Sequence, residues 1–283
     1  MLINQKYKLD GHLISGLRGI FVGLLFCAAI PFVDFPKSEI FWALIAVQVG
    51  LSTFYNARFY ESAARYGAAS TARISVLAIA FGVVFWWAID WERFLLLVRD
   101  LSVLSGIVLS LLVICAGFYF RALKNARAQS GELAYLMPAV VVSAAMLINR
   151  KEVMSHADFF SAAVYYCAVS IFLSGVLNIS IYAFKVGFKS FKTQLRTPPV
   201  LKAGLIMALA SSVTILCGNT ATFYVPNPAF INALTLTIPI WVFLLDKLAG
   251  RSPKLNRGGT ALMLFGLLLL IYFANVPLHM AHW

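Results

Sequence analysis

The sequence predicts an all-α polytopic membrane protein with nine transmembrane helices. Three observations lead to this fold class: the chain is strongly apolar, its apolar residues fall into long runs, and its cations lie mainly in the short loops between them. Of its 283 residues, 61% are hydrophobic and 12% are charged, and the mean hydropathy is +0.85. A soluble domain has about 45–50% apolar and about 25% charged residues. A water-soluble fold of this length could not bury so much apolar surface.

The predicted helices follow from the length that a bilayer demands, about 20 apolar residues for each crossing. Prolines mark several of their ends, and the pair Pro198 and Pro199 predicts a stiff hinge between the sixth and seventh helices. No long polar insert separates the runs, so the sequence predicts a single membrane domain. In order along the chain, the predicted helices are 13–33, 39–59, 67–89, 97–119, 133–149, 157–184, 202–222, 228–248 and 258–276.

The lysines and arginines are distributed unequally between the two sets of loops. Seventeen of the 23 fall on one side of the predicted helices, five fall on the other, and Arg73 lies within a helix. Cytoplasmic loops carry the excess of basic residues. The bias predicts a cytoplasmic amino terminus and, after nine crossings, a carboxyl terminus outside, as in a protein of the bacterial inner membrane. Membrane orientation, rather than nucleic-acid binding, then explains the net charge of +12.

No pattern in the sequence points to a catalytic, metal or cofactor site. The four cysteines stand singly in apolar runs without metal-ligand spacing. The sequence has no Walker-type loop and no serine–histidine–aspartate set. No Asp or Glu falls near the centre of a predicted helix, where a carboxylate could carry protons. We therefore expect a protein that is not an enzyme and that binds no metal or cofactor.

Two segments align as a weak internal repeat. RYGAASTARISVLAIAFGVVFWW (65–87) matches YVPNPAFINALTLTIPIWVFLLD (224–246), so that Arg73 meets Asn232, Val76 meets Thr235, and Ala80 meets Pro239. Each segment ends a similar string of helices and precedes a short charged loop and a last helix that contains glycine. Membrane transporters often carry such symmetry. The alignment predicts a first helical repeat at 1–120 and a second at 121–283.

The second half of the chain resembles the closing helices of the drug/metabolite transporter superfamily, EamA type. The resemblance rests on NPAFINALTLTIPIWVFLLDKLAGRSPKLNRGGTALMLFGLLLLIYF, in which small residues lead to Pro239 in mid-helix and a glycine-rich helix follows a polar loop. SGLRGIFVGLLF is similar to that family's second helix. RFYESAARYGAASTARISVLA is similar to its junction between the third and fourth helices.

This resemblance implies a ten-helix fold made of two five-helix repeats in opposite orientation. Against that pattern the chain is expected to lack the first helix, which leaves a degenerate inverted repeat of four plus five. Ala80 stands where the family usually has proline in the first repeat. The implied function is that of a secondary-active transporter, which moves a small organic metabolite by alternating access through a midplane cavity.

Arg73 is the first candidate for contact with substrate. Charges within membrane helices usually face the bundle interior or a water-filled cavity, and a guanidinium pairs bidentately with carboxylate or phosphate. An anionic or zwitterionic metabolite is therefore favoured. Asn232 and Thr235, which share a helical face with Pro239, are further candidates. The structural alternatives are that Arg73 reaches the headgroups or pairs with Glu61, and that Asn232 and Thr235 join helices by hydrogen bonds.

The remaining candidates are polar residues near helix ends or on a polar stripe. Gln48 is a candidate for substrate binding, with helix packing as its alternative. Glu61 and Arg65 share a face with Arg58, and we expect an ion pair at a helix end, or else an entrance that attracts anions. Asp246 stands beside a lysine as a helix-end pair or a gate. Pro239 is expected to open a backbone carbonyl to the cavity.

Two other functions fit the same residues. A cation between helices also suits the phosphate of a lipid headgroup, as in a lipid or lipid-carrier flippase. A repeat that lacks a helix also suits a non-transporting membrane subunit or assembly partner. The expected partners are a small-molecule solute and the lipid bilayer, with no nucleic acid and with a homodimer left open.

Overall fold

The computed structural model describes residues 2–74, 77–122, 126–224, 241, 244–245, 247–248 and 257–275, and within this part every regular element is helical. A short 3-10 turn follows the second helix, and a π-helical turn lies between the ninth and tenth. The α-helices are α1 (Leu2–Tyr7), α2 (Gly11–Cys27), α3 (Glu39–Tyr66), α4 (Ala68–Ile74), α5 (Leu77–Ile89), α6 (Trp91–Arg99), α7 (Leu101–Ala122), α8 (Ala126–Ser155), α9 (Phe159–Tyr165), α10 (Phe172–Val186), α11 (Phe188–Leu195), α12 (Pro198–Tyr224) and α13 (Arg257–Asn275).

Six helical segments in the described part are long and apolar enough to cross a bilayer, as in an integral membrane protein. Two shorter apolar helices, Leu101–Gly117 and Gly258–Phe273, accompany them. The predicted helix at 228–248 lies largely outside the described residues, so the count of nine stays a prediction. The six segments are Gly11–Phe32, Glu39–Tyr66, Ser70–Ile89, Gly131–Ser155, Phe159–Val186 and Pro198–Tyr224.

Two helices extend well beyond the apolar runs that predict them. α3 continues past the predicted end at 59 to Tyr66, and α8 continues past 149 to Ser155. A hydropathy pattern ends where charged residues begin, whereas a helix continues as long as its polar side chains find partners. As a result Arg150, which the charge distribution assigns to a loop, lies inside a helix.

Capping groups fix the ends of several helices. The side chain of Ser38 accepts a hydrogen bond from the amide of Phe41, and Asp158 caps α9 in the same way. Gly67 and Gly187, with φ of 94° and 81°, end α3 and α10 in a region that residues with a Cβ rarely adopt. These local signals set where the chain turns.

The connection between α10 and α12 differs from the predicted hinge. The short helix α11 occupies it, and Pro198 and Pro199 form the first turn of α12. Proline is well suited to that position, since the first amide groups of a helix have no acceptor within it. The pair therefore starts a helix instead of separating two.

Two pairs of helices approach each other closely through glycine. A Cβ on Gly19 of α2 would lie 2.7 Å from Cα of Gly175 on α10. In the second pair, a Cβ on Gly117 of α7 would lie 2.9 Å from the carbonyl oxygen of Gly259 on α13. Small residues allow this approach in membrane helices, where dispersion and shape drive association.

The helices form a central bundle and a lateral group. In the central bundle, α2 packs on α3, α10 and α12, while α8 packs on α3 and α5. In the lateral group, α7 and α13 pack along their length. The core of the central bundle contains Val22, Phe41, Ile45, Val153, Met154, Ala162, Tyr165, Tyr166, Cys167, Ile171 and Ala208. The core of the lateral group contains Ile79, Leu97, Val103, Ile107, Ile114, Met263, Leu267 and Leu270.

The central bundle has two distinct ends. At the N-terminal end, Gly11 packs against Ala57, and Nζ of Lys185 lies 2.9 Å from Oδ2 of Asp10, so α2 begins where α3 and α10 end. At the opposite end, Nζ of Lys151 donates to the carbonyl oxygens at the end of α12, which places the ends of α8 and α12 together. This alternation of ends agrees with the two sides to which the charge distribution assigns the loops.

Candidate binding site

A buried network of polar side chains joins α3, α8 and the π-helical turn. Gln48 is fully buried and donates through Nε2 to the hydroxyl oxygen of Tyr166 at 2.8 Å and to Oγ of Ser52 at 3.2 Å. Nδ2 of Asn149 donates to Oε1 of Gln48 at 2.9 Å. Both ends of the Gln48 amide are therefore bonded to protein groups, and the network fixes the position of Tyr166.

Arg150 adds a cation to this network. Its Nε donates to the hydroxyl oxygen of Tyr166 at 3.3 Å, and its Cζ lies 5.6 Å from the centre of the same ring. Among the described residues, no carboxylate forms an ion pair with this guanidinium. The Tyr166 oxygen accepts two hydrogen bonds. Among the described residues, no group accepts a hydrogen bond from the Tyr166 hydroxyl or from the terminal nitrogens of Arg150.

Two local features of the backbone lie beside Arg150. The first is the π-helical turn, Tyr166–Ile171, of a kind found frequently at functional sites. The second is Gly218 of α12, where an added Cβ would lie 3.2 Å from Nη1 of Arg150. Glycine at this position thus lets the guanidinium approach α12 closely.

Asn219, next to Gly218, carries an unsatisfied acceptor. Its Nδ2 lies 3.6 Å from Sγ of Cys167, while its Oδ1 is buried without a hydrogen-bond partner. An unsatisfied buried polar group costs about 1–3 kcal/mol. A ligand that donates a proton to this oxygen would remove that cost.

Arg18 of α2 is a second buried cation. Only 9% of its surface is exposed, and its Nε is buried without a hydrogen-bond partner. Its Cζ lies 5.5 Å from the centre of the Tyr60 ring.

Sequence reasoning missed Arg18 and Arg150 as site residues because it counted Arg18 with the charges at the cytoplasmic end of the first predicted helix and assigned Arg150 to a loop. For Arg150 a signal existed in the sequence: the first good capping residue after the apolar run is Asp158, which allows the helix to continue past 149. For Arg18 the apolar residues on both sides were the signal. Burial and the lack of an acid partner depend on neighbouring helices and could not be predicted.

A second polar cluster joins α2, α3 and α10 with ordinary helix–helix hydrogen bonds. Oγ1 of Thr53 donates to Oγ of Ser174 at 3.2 Å, and Nδ2 of Asn178 donates to Oγ of Ser15 at 3.3 Å. Nδ1 of His12 lies 2.7 Å from Oδ1 of Asn178. These contacts are those of helix packing, although they also line the bundle with polar atoms.

Glu61 and Arg65 form an ion pair near the end of α3, as their spacing predicts. The hydroxyl of Tyr135 donates to Oε2 of Glu61 at 2.6 Å. Nη1 of Arg58 donates to the carbonyl oxygen of Tyr135 at 3.1 Å, and its Cζ lies 5.0 Å from the centre of that ring. All three charged side chains are thus engaged with each other or with Tyr135.

Arg73 lies on α4, but its side chain is outside the described part of the structure. Its helix is tied to α8: Oγ of Ser70 donates to Oε2 of Glu132 at 2.5 Å. Ser62 of α3 also contacts α4, with its Oγ 2.9 Å from Oγ1 of Thr71. Glu132 is 2% exposed, and sequence reasoning did not single it out. The predicted anchor role of Arg73 stays a prediction.

Four of the other predicted site residues, Asn232, Thr235, Pro239 and Asp246, lie outside the described residues. Within the described part, a small cleft opens between α3, α4 and α8, next to the helix that carries Arg73. Also within that part, no group of three or more His, Cys, Asp or Glu is placed to hold a metal. The cleft is lined by Tyr55, Phe59, Thr71, Leu136, Ala139, Val140 and Ser143.

Comparison with known proteins does not assign the chain to a family. No family model, curated protein or solved structure matches it. The resemblance to the drug/metabolite transporter superfamily therefore stays a prediction from sequence. What the structure describes is a helical membrane protein whose central bundle contains one buried and one half-buried arginine, Arg18 and Arg150, without an acid partner among the described residues.

Proposed function

We propose that the protein is a membrane carrier for a small organic anion, which it moves by alternating access. The observation that supports this most strongly is Arg150, a half-buried cation inside a membrane helix that no described carboxylate pairs. Charged side chains within such helices pair with one another or face a cavity, and they mark paths for solutes. A carboxylate or phosphate on the solute would supply the missing negative charge.

The way Arg150 is held favours an oxyanion. Its Nε is used by Tyr166, so the two terminal nitrogens can form the parallel pair of hydrogen bonds that suits a planar carboxylate. Tyr166 is itself fixed by Gln48, so the site is organised before the ligand arrives. Each hydrogen bond to a charged group contributes about 1.5–3 kcal/mol. In this proposal Arg150 is the principal anchor, and Gln48 orients it.

The helix pairs support the proposed inverted repeats. Gly16 of α2 faces Ile179 while Gly23 faces Phe172, so α2 and α10 run antiparallel. α7 and α13 are antiparallel as well, since Gly106 faces Phe273 and Gly117 faces α13 near its start. A two-fold axis in the membrane plane pairs corresponding helices in this way.

The positions of these helices along the chain also support the repeats. One helix of each pair lies in 1–120 and the other in 121–283. This arrangement is what membership of the drug/metabolite transporter superfamily, EamA type, would require.

The test is transport by the purified protein in liposomes. Vesicles are loaded with a mixture of organic anions, organic cations and neutral sugars, and the mixture retained after exchange is measured by mass spectrometry. We expect exchange of one or more carboxylates or phosphate esters, and no exchange of cations. Vesicles that retain every compound, or that exchange only cations, would contradict the proposal.

Arg150→Met tests the anchor, and Arg58→Met is the matched control. Both changes remove a guanidinium of similar size, but Arg58 is bonded to Tyr135 at the end of α3. We expect Arg150→Met to lose at least about tenfold in apparent affinity for the exchanged anion, because a charge-assisted contact is removed. Equal affinity in both variants would remove Arg150 from the site.

The same preparations separate the two alternative functions. Flipping of labelled phospholipid, with no exchange of soluble anion, would favour the flippase. A protein that moves neither and copurifies in fixed ratio with another membrane protein would favour a subunit role. Either result would replace the carrier proposal.

A further inference from the structure

Arg18 cannot be explained as a structural ion pair within the described part of the chain. It sits in the first third of the span that begins at Gly11, with 9% of its surface exposed. Its contact with the Tyr60 ring, at 5.5 Å, is its one described interaction with an aromatic group. Its Nε is buried and has no hydrogen-bond partner.

The Tyr60 contact is too weak to offset the burial of this charge. A cation–π contact contributes less than the cost of removing an ion from water, which stays large even after the protein relaxes. The burial of Arg18 therefore lowers the stability of the folded protein, and an anion beside Arg18 would restore most of that stability.

The surroundings of Arg18 are polar enough to admit such an anion. Ser15, three residues earlier on α2, is held by Asn178 of α10. Asn178 in turn contacts His12, close to where α2 begins at the N-terminal end. The hydroxyls and amides of these residues form a polar line from that end towards the level of Arg18.

The two arginines belong to different levels of the bundle. Arg18 follows the start of α2 at the N-terminal end, whereas Arg150 precedes the end of α8 at the opposite end. A solute that passes through the bundle would therefore meet the two cations one after the other.

We propose that Arg18 is a second oxyanion-binding site, nearer the N-terminal end, for the same carboxylate or phosphate chemistry as Arg150. The inference deepens the proposed carrier and rests on it for the idea of successive sites. Binding of an anion at Arg18 does not itself require transport, so the two proposals can fail separately.

The test measures the thermal stability of the detergent-purified protein with inorganic phosphate, in the Arg150→Met background. Of the two oxyanion sites proposed from the structure, Arg150 and Arg18, this background retains only Arg18. A ligand that binds only the folded state raises Tm in proportion to the logarithm of its concentration. We expect phosphate to raise Tm by about 2 °C or more over sodium chloride of equal ionic strength.

Adding Arg18→Met to this background gives the decisive comparison. We expect the double variant to lose the phosphate response and, because an unpaired buried charge has been removed, to have a higher Tm without phosphate. Arg58→Met in the same background is the matched control, and it should keep the phosphate response. A response that survives in the Arg18→Met double variant would overturn the proposal.

Two further arms cover misfolding and the source of the anion. If the Arg18→Met double variant does not fold, Arg18→Lys replaces it. This change keeps the positive charge but removes the paired hydrogen-bond donors of the guanidinium, and an unchanged phosphate response would overturn the proposal.

A short-chain phosphatidylglycerol is tested beside phosphate and acetate. Stabilisation by the lipid alone assigns Arg18 to a headgroup and overturns the solute site. Loss of transport in Arg150→Met with a retained phosphate response supports both proposals.

Discussion

The arginines at the end of α3 and those inside the bundle differ in their partners. Arg65 pairs with Glu61, and Arg58 bonds to the backbone of Tyr135 and covers its ring. Arg18 is buried and Arg150 half-buried in the central bundle, and no described carboxylate pairs with either. The expectation from solvation is the reverse, since a buried charge needs a partner more than an exposed one. Among the described residues this difference supports the proposal that a solute supplies the missing negative charge.

The largest effect is expected when Arg150 is given a carboxylate partner within the protein, as Arg65 already has. Asn219 is buried beside Gly218, whose Cα faces Nη1 of Arg150, so Asn219→Asp places a carboxylate in that region. We expect the built-in acid to raise Tm and to weaken anion binding at least about tenfold, because the guanidinium is then neutralised. Anion-dependent stabilisation is the measurement.

Asn219→Ser is the control for this change, since it alters the same position without adding charge. It should leave most of the anion response in place. An unchanged response in Asn219→Asp would show that the Asn219 side chain is not close enough to compete for Arg150.

Tyr166→Phe sharpens the comparison by removing the group that holds Arg150. The hydroxyl accepts from Gln48 and from Arg150, so its loss leaves two buried donors without their acceptor. We expect a loss of about 1–3 kcal/mol in the free energy of unfolding. Denaturation in mixed micelles measures it. Tyr165→Phe is the control on the neighbouring residue, and equal effects of the two changes would contradict the role assigned to the Tyr166 hydroxyl.

Glu61→Gln removes the carboxylate that pairs with Arg65 near the end of α3. The Arg65 side chain is 57% exposed, so solvent screens the ion pair and its loss should cost less than about 1 kcal/mol. Tm should fall slightly, and anion affinity should not change. A large loss of anion affinity would instead support the entrance role that the sequence leaves open for this cluster.

The smallest expected effect concerns Asp158, the capping residue of α9. Its hydrogen bonds with Ser161 and the backbone hold the pKa of this exposed carboxyl below its ordinary value. The stabilisation is therefore fully present above the ordinary value, about 3.9, and is lost as pH falls through the lower folded-state value. Asp158→Asn should reduce the acid-dependent fall in Tm by a small amount. The same slope in both proteins at acidic pH would contradict this.

Much of the fold could be predicted because its determinants are local. The apolar runs predicted the positions of all six described spans, and the helical spacing of Glu61 and Arg65 predicted their ion pair. Helix ends were predicted less well, since α3 and α8 continue through charged residues that hydropathy assigns to loops. A local pattern cannot register a partner that comes from another helix.

The candidate site could be predicted only in part. Gln48 was singled out by its place on a polar stripe, and it is indeed buried in a polar network. Arg18 and Arg150 were not, because the sequence gives their charge but not their neighbours. Arg73, the residue that sequence analysis placed first, has a side chain outside the described part, and its role is still a prediction.

The sequence by itself determined that this protein is a bundle of membrane helices, because transfer of apolar residues from water depends on composition and length alone. The tertiary structure decided which charges have partners. Gln48 and Tyr166 are 118 residues apart, and only the packing of their helices brings them together beside Arg150. Whether a buried cation is paired is a property of side chains distant in sequence, and local hydropathy carries no information about it.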